Sequence, residues 1–537
     1  MSVRTSLFTW LTITACILSI PAAANAKTIY VNDDATGVNN GPSRSGFQSG
    51  VQYPSIQAAI NAAIDGDTII LAPGAFRGEG NRDIDFNGKA ITVRSTDPND
   101  PNIVAATIID CNGTEDEPHR GFYFHSGEDA NSILAGVTIM NGYAEDGGGV
   151  YCESSSPTLR KCSFTRNSAQ AFEDCSGGGM DNYNDQYNQC SPTLINCTFA
   201  NNRATNDGGA IYNYQSSPTL TKCTLSNNSA VRGGGIHNFW QSSPVLVNCK
   251  FKGNFARASG GGIFNYYGCR PVVDKCIFSN NRVLNGTGGG IFNEESSQIV
   301  RNCVFSGNLA DTFGGGVSNF IGTLTLTNCT FIGNLADAGG GIASWLESDL
   351  TVNNCIVWGN MAVDGAALYL SCPHSSSRAS VVWSDIEGGI EGVFTDTDCG
   401  LNWGESNIGA DPCFADPGYW DPNGTPDDAN DDFWVDGDYH LKSQAGRWEP
   451  NSETWLLDDI TSPCIDVGDP ISPIGNEPFP NGGIVNMGAY GGTTEASKSY
   501  FGKPPCETIV AGDINGDCEV NFLDFRLMAL HWMEGHD

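Results

Sequence analysis

The sequence predicts an all-β parallel β-helix, a solenoid, with a short N-terminal helical cap, an acidic C-terminal region and a small C-terminal loop-helix unit. Three observations predict it. Sixty-six glycines among 537 residues, with only 16% charged residues, describe a turn-rich chain and not a helical one. Glycine clusters begin at Gly147, Gly177, Gly208, Gly233, Gly260, Gly288, Gly314, Gly339 and Gly365, mostly 25 to 28 residues apart. Cysteines 162, 197, 223, 249, 276, 303, 329 and 355 keep a spacing of 26 or 27 after one 35-residue coil. A period of this length decides the architecture before local propensity does.

Each unit of about 26 residues reads Gly-Gly-Gly, an aliphatic, a variable residue, Asn, a polar turn often containing Ser-Ser-Pro, then alternating residues such as Leu194 to Phe199. Short period-2 segments between turns are strands, about three to a coil, each pairing with its copy in the next coil about 4.8 Å away. Identical positions then stack. Asn167, Asn202, Asn228, Asn254, Asn281, Asn308, Asn334 and Asn360, each five residues after a repeat cysteine, and the series Asn182, Asn213, Asn238, Asn265, Asn293 and Asn319 are expected as inward amide ladders. Residues that recur in every coil are structural, since a catalytic group is needed once. Stacked cysteines have parallel Cβ vectors and are expected as buried thiols. The off-ladder pairs Cys175 with Cys190, Cys399 with Cys413 and Cys506 with Cys518 are the disulfide candidates.

At the N-terminus, Arg4, the apolar run Leu7 to Ile20 and Ala24-Asn25-Ala26 read as a secretory signal peptide over 1–26, placing the mature protein outside the cytoplasm, secreted or at the cell surface. No later run is long enough to span a membrane. Ile56, Ala59, Ile60 and Ala63 follow helical spacing after a Ser55 N-cap, which suits a helix closing the first coil. Strand-like segments at Thr68 to Leu71 and Ala90 to Val93 begin the coils. The expected organisation is a β-helix over 27–400, an acidic loop-rich region over 401–500 and a separate segment over 501–537.

Net charge is −34, which excludes bare nucleic acid and anionic membrane as partners. The charge is uneven: residues 147–370 carry 14 acidic and 13 basic groups, residues 371–537 carry 30 and 6. The run from Asp421 to Asp438 is either a calcium-binding loop or a solvated acidic one. Asp513, Asn515, Asp517, Glu519, Asn521 and Asp524 are spaced to surround one Ca²⁺, and Phe522, Phe525, Met528, Ala529 and Trp532 then fall on one helical face.

The segment after residue 50 resembles the start of proteins of the pectin-lyase-like, right-handed β-helix superfamily. The coils resemble the repeats of chlamydial polymorphic membrane proteins, marked by Gly-Gly-aliphatic and by Phe-x-x-Asn at Phe164–Asn167, Phe199–Asn202, Phe251–Asn254, Phe278–Asn281, Phe305–Asn308 and Phe331–Asn334. Leu225 and Val357 replace Phe in two coils. The C-terminal loop resembles one half of a type I dockerin, with Cys518 where that family has Gly. That likeness implies a cohesin-like partner, and the single copy tells against docking.

Register predicts the outward surface. The residue after each glycine-following Asn should point out, giving a lane of Glu153, Tyr183, Tyr214, Phe239, Tyr266, Glu294, Phe320 and Trp345, beside Tyr212, His237, Phe264, Phe292 and Tyr369. Such a row is either a platform for sugar rings or a second small core covered by C-terminal loops or adjacent turns. For hydrolysis, two carboxyls should stand about 5 to 9.5 Å apart, and Glu153, Asp181 and Asp185 are the weak catalytic candidates. Lyase chemistry needs a base such as Arg near a Ca²⁺-held uronate, and register places no Arg among those acids. Gly-His-Gly, Gly-x-Ser-x-Gly, Cys-x-x-Cys and His-Glu-x-x-His are absent from the sequence. The expected function is calcium-stabilised binding of extracellular or cell-surface polysaccharide. The alternatives are a pectate-lyase-like lyase or hydrolase and a surface adhesin or scaffold.

Overall fold

A computed structural model describes residues 26–32, 53–170, 175–184, 190–372, 377–425, 432–500, 514, 520 and 522–532. The expected signal peptide through residue 25, Asp185, and Cys506 and Cys518 lie outside the described residues.

One coil shows how the residues set the path. Ile211–Tyr214 follows the glycines as a strand of sheet I, Thr219–Thr221 belongs to sheet II, Thr224–Ser226 to sheet III and Ser229–Arg232 to sheet IV. Stacking gives parallel sheets of 11, 14, 12 and 7 strands respectively. The fourth sheet corrects the three-strand expectation. Its strands are as short as Arg203–Ala204, too short for alternation to register in the sequence.

Four corners in a regular coil are left-handed. In one coil they fall on Gly233 (φ 63°), Trp240 (φ 52°), Asn248 (φ 54°) and Gly253 (φ 63°). Gly and Asn tolerate this backbone best, which accounts for the glycine and asparagine content. The second glycine of each cluster answers a different demand: a Cβ on Gly234 would stand 2.5 Å from the Phe255 carbonyl oxygen of the next coil.

The expected columns are present. Each ladder cysteine's carbonyl up to Cys329 accepts from the residue after the next ladder cysteine, as in Lys250 N to Cys223 O at 2.9 Å and Ile277 N to Cys249 O at 2.9 Å. The eight thiols are buried and unbridged. Asn228 donates Nδ2 to Asn254 Oδ1 at 2.9 Å, Asn254 to Asn281 at 2.9 Å, and Asn281 to Asn308 at 2.9 Å. Phe251, Phe278, Phe305 and Phe331 stack inside, with centroids 4.6 to 4.8 Å apart.

The disulfide candidates are corrected. Cys399 bonds to Cys372 across the last coils, not to Cys413, and this is the one disulfide among the described residues. Cys190 donates its thiol to the Cys152 carbonyl at 3.2 Å. Register put Cys372 and Cys399 one coil apart and off the ladder, a relationship hidden by the loss of the repeat after residue 370.

Helix α1, Ile56–Ala62, is capped by Ser55 Oγ, which accepts from Ala58 N at 3.2 Å, and Ile56, Ala59, Ile60 and Ala63 are buried in the main core. Sheet II starts earlier than expected: Thr28–Val31 pairs with Thr68–Leu71. Its last strand is Gly400–Trp403. Beyond it, three antiparallel hairpins pair Phe414–Asp416 with Asp438–Leu441, Tyr419–Asp421 with Phe433–Val435, and Arg447–Glu449 with Thr454–Leu456. This layer packs on the outer face of sheet III, where Val304, Ile332 and Ile356 meet Trp434, Tyr439, Leu441 and Met487. Left-handed Asn302 and Asn328 donate to carbonyls at Gly491 (2.7 Å) and Asn486 (3.0 Å), so corner residues also anchor the layer.

Candidate functional site

Sheet I carries the predicted lane. The register runs Glu153, Tyr183, Tyr214, Phe239, Tyr266, Glu294, Phe320, Trp345 through consecutive strands. Tyr183 and Tyr214 stack with centroids 5.0 Å apart, Phe239 and Tyr266 at 5.5 Å, and Phe320 and Trp345 lie 4.2 Å apart. Tyr183 is exposed and the rest are half-buried. Among the described residues the C-terminal layer rests on sheet III.

The neighbouring lane differs from its expected character. Tyr123, Tyr151, Asp181, Tyr212, His237, Phe264 and Phe292 follow one another in register. Asp181, His237, Phe264 and Phe292 are buried. The close return of the glycine turn covers them: the Cβ of His237 and that of Phe292 come within 2.8 and 2.6 Å of where a Cβ on Gly233 or Gly288 would stand.

At the N-terminal end the two lanes meet a polar cluster. Asp181 lies between Tyr151 and Tyr212, with 2% exposure and an Oδ1 that has no hydrogen-bond partner among the described residues. Burial, with the nearby charges of Asp146 and Asp207 opposed by Arg120, pushes its carboxyl well above the usual carboxylate range. Asp207 behaves oppositely. Burial raises its pKa, but His237 and Arg232 outweigh that and hold it below the ordinary value. Arg232 grips Asp207 through Nε at 2.7 Å and a second nitrogen at 2.8 Å. His237 Nδ1 stands 3.1 Å from Asp207 Oδ1, and its ring stacks on Phe264 at 4.7 Å.

Repeat register placed no arginine beside Glu153 and Asp181; the structure brings Arg120 near Asp181 from outside the repeat, and sets Arg232 on Asp207. Arg232 occupies the position before the glycines, in bridge register with Asp207, and Arg120 comes from an irregular coil before the repeat settles. Asp146, Asp207 and Arg232 all precede a glycine cluster, and reading that position as a lane of its own would have found them. Arg120 lies over the rings of Tyr123 and Tyr151 at 5.4 and 5.0 Å. Asp83, His119, Arg120, Tyr123, Asp146 and Tyr151 line a cleft of about 510 Å³.

Glu153 accepts from the Tyr123 hydroxyl at 2.6 Å. Burial, and then Glu153, raise that phenol to about 12. Glu153 and Asp181 share the outer face of sheet I, one strand and two residues apart, which is about 8 Å between Cα positions. Their environments diverge, with Asp181 enclosed and Glu153 half-exposed.

Of the six predicted calcium ligands, Asp513, Asn515, Asp517, Glu519 and Asn521 lie outside the described residues. Asp524 is buried in helix α2, Phe522–Trp532, and accepts from Ile514 N at 2.7 Å. In the acidic run, Asp436 accepts from Ser306 Oγ at 2.6 Å and Asp438 pairs with Arg447 at 3.0 Å, so these two carboxylates hold the C-terminal layer in place.

The family described as right handed beta helix region matches residues 80–256 and 245–382, and one described as disaggregatase related matches residues 419–468. No curated protein matches the chain. Similar solved structures include pectate lyase Pel9A, at 16% identity over 87% of this chain and 96% of that one, with a TM-score of 0.39. Tailspike protein 3 of bacteriophage CBA120 is 11% identical over 74% and 61%, with a TM-score of 0.25. The Agl-KA catalytic domain is 12% identical over 65% and 64%, with a TM-score of 0.22.

Proposed function

Because the chain belongs to the right handed beta helix family, we propose that it is an exported polysaccharide-binding protein that holds its ligand along the outer lane of sheet I. The stacked, partly exposed rings from Tyr183 to Tyr266 carry this proposal. Rings one coil apart stack on one another and leave a partly exposed apolar row at a spacing close to that of sugar residues, and the flanking Glu153 and Glu294 offer acceptors to hydroxyls. The 501–537 segment serves in this proposal as a half-dockerin-like unit stabilised by Ca²⁺, supported by the spacing of Asp513 to Asp524. Helix α1 serves as the cap of the first coil, supported by its buried apolar face.

Co-sedimentation of the full chain with insoluble glycans tests the binding. Retention of the wild type and its loss in a Tyr214→Ala, Tyr266→Ala, Trp345→Ala triple variant is the expected result. Failure of the wild type to sediment with any glycan overturns it.

A second function, cleavage of the bound chain by a lyase or hydrolase, is favoured by one observation. Asp181, whose burial raises its carboxyl, Arg120 and the Tyr123–Glu153 pair converge where the lane enters the cleft. Release of reducing ends or unsaturated uronides that falls in Glu153→Gln would select it.

A further inference from the structure

The corner after each sheet I strand breaks the pattern of the other corners. Before the ladder cysteines and asparagines the left-handed position is held mostly by Asn or Gly, as in Asn248, Gly253, Asn280 and Asn302. After sheet I it is held by Gln215, Trp240, Tyr267, Glu295, Ile321 and Leu346, with φ between 46° and 63°. A bulky side chain here costs about 1–2 kcal/mol relative to Gly, and such strain collects at functional positions. Trp240 and Tyr267 are therefore retained against the preference of their own backbone.

Neither ring recovers that cost by burial. Trp240 is 37% exposed and Tyr267 42% exposed. They stack on each other with centroids 4.7 Å apart. Trp240 meets Phe239 edge-on at 6.0 Å and Tyr267 meets Tyr266 edge-on at 6.0 Å, while Phe239 and Tyr266 stack at 5.5 Å. Two adjacent coils thus bring four rings together, one stacked pair on the lane and one stacked pair at its corner, the two pairs meeting edge-on.

Charge selects the ligand class. Glu294 follows Tyr266 in the lane, and Glu295 follows Tyr267 at the corner. Arg232, whose charge reaches both Tyr266 and Glu294, is committed to Asp207 by two hydrogen bonds. A polyuronate laid here would set carboxylate against carboxylate, whereas an uncharged chain meets apolar ring surface with the Glu294 and Glu295 carboxylates beside it as acceptors. We propose that Trp240 and Tyr267, with Phe239 and Tyr266, form a four-ring subsite for an uncharged polysaccharide. This rests on the binding function proposed above and extends it to residues and a ligand class.

Affinity electrophoresis of the full chain tests it, in gels containing β-glucan, galactomannan, xylan or polygalacturonate, with Ca²⁺ or with EDTA. The wild type is expected to be retarded by at least one uncharged glycan and not by polygalacturonate. The Trp240→Asn, Tyr267→Asn double variant is expected to lose at least tenfold in affinity while its melting temperature holds or rises, because Asn suits the left-handed corner. A fall in melting temperature would mark the pair as structural and overturn the proposal. Unchanged retardation of the double variant, alongside loss in Tyr214→Ala, would overturn the subsite and leave the lane standing. Retardation by polygalacturonate alone would overturn the ligand class, and no retardation in any gel would overturn the binding function itself.

Discussion

A Cβ on Gly307 would stand 2.0 Å from the Cβ of Trp434, 127 residues further along the chain. Gly307 has φ 58° on the corner bordering sheet III, and Gly333 one coil on faces the far edge of the same indole at 2.4 Å. Asn280 closes the third side, accepting from Trp434 N at 2.8 Å and donating to its carbonyl at 3.0 Å. The C-terminal layer is keyed to a slot that only glycine can form. Gly307→Ala should therefore weaken docking by about 3 kcal/mol, combining overpacking with left-handed strain. Trp fluorescence and limited proteolysis across residues 404–500 will read the release, while glycan binding on sheet I persists.

The inner asparagines predict a different failure. Asn254 Oδ1 accepts from Asn228 N and Nδ2 at 3.1 and 2.9 Å, and its own amide donates to Leu225 O and Asn281 Oδ1 at 2.9 Å each. Asn254→Ala leaves buried groups unpaired on both sides, at a cost of about 3 kcal/mol. Urea denaturation will show it as a lowered midpoint, and an unchanged midpoint would mean water replaces the amide.

Tyr214 sits in the middle of the lane, 5.0 Å from Tyr183 and 5.7 Å from Phe239. Because it is half-buried on an outer face, Tyr214→Ala should change stability by about 1 kcal/mol or less. Glycan affinity should fall about tenfold, equivalent to ~1.4 kcal/mol. Titration of both variants with the same glycan separates the two effects.

Glu477 gives the C-terminal layer a pH dependence. Burial raises its carboxyl to about 7, against hydrogen bonds from Gly492 N and Asn486 N, each 2.8 Å. Between the ordinary value of 4.5 and about 7 the unfolded chain has lost this proton and the folded one keeps it. Stability therefore falls as pH rises through that window, by on the order of 3 kcal/mol. His440 acts in the same direction. Burial lowers its pKa, but Asp438 and Glu495 raise it further, so its contribution also fades as pH rises. In Glu477→Gln the Glu477 share of the slope should disappear, checked by denaturation at pH 4.5, 6 and 8.

The period of glycine, cysteine and asparagine was enough to place Tyr183, Tyr214, Phe239 and Tyr266 in one lane, because in a solenoid residues one repeat apart become neighbours whatever lies between them. The same periodicity gave the buried thiols and the amide ladder from Asn167 to Asn360, while the second ladder is interrupted between Asn265 and Asn293. It could not give the Asp207–Arg232 and Asp181–Tyr151 pairings their chemical weight, since those depend on how closely a glycine turn folds over the sheet and shuts water out. Nor could it say which face the C-terminal layer covers. Asn280 with Trp434 and Asn302 with Gly491 are separated by 154 and 189 residues and share no repeat register, so only the packed structure brings them together. Local sequence determined the coil and its stacking, because those contacts repeat. The tertiary structure decided which surface stayed open, because each contact that closes sheet III occurs once.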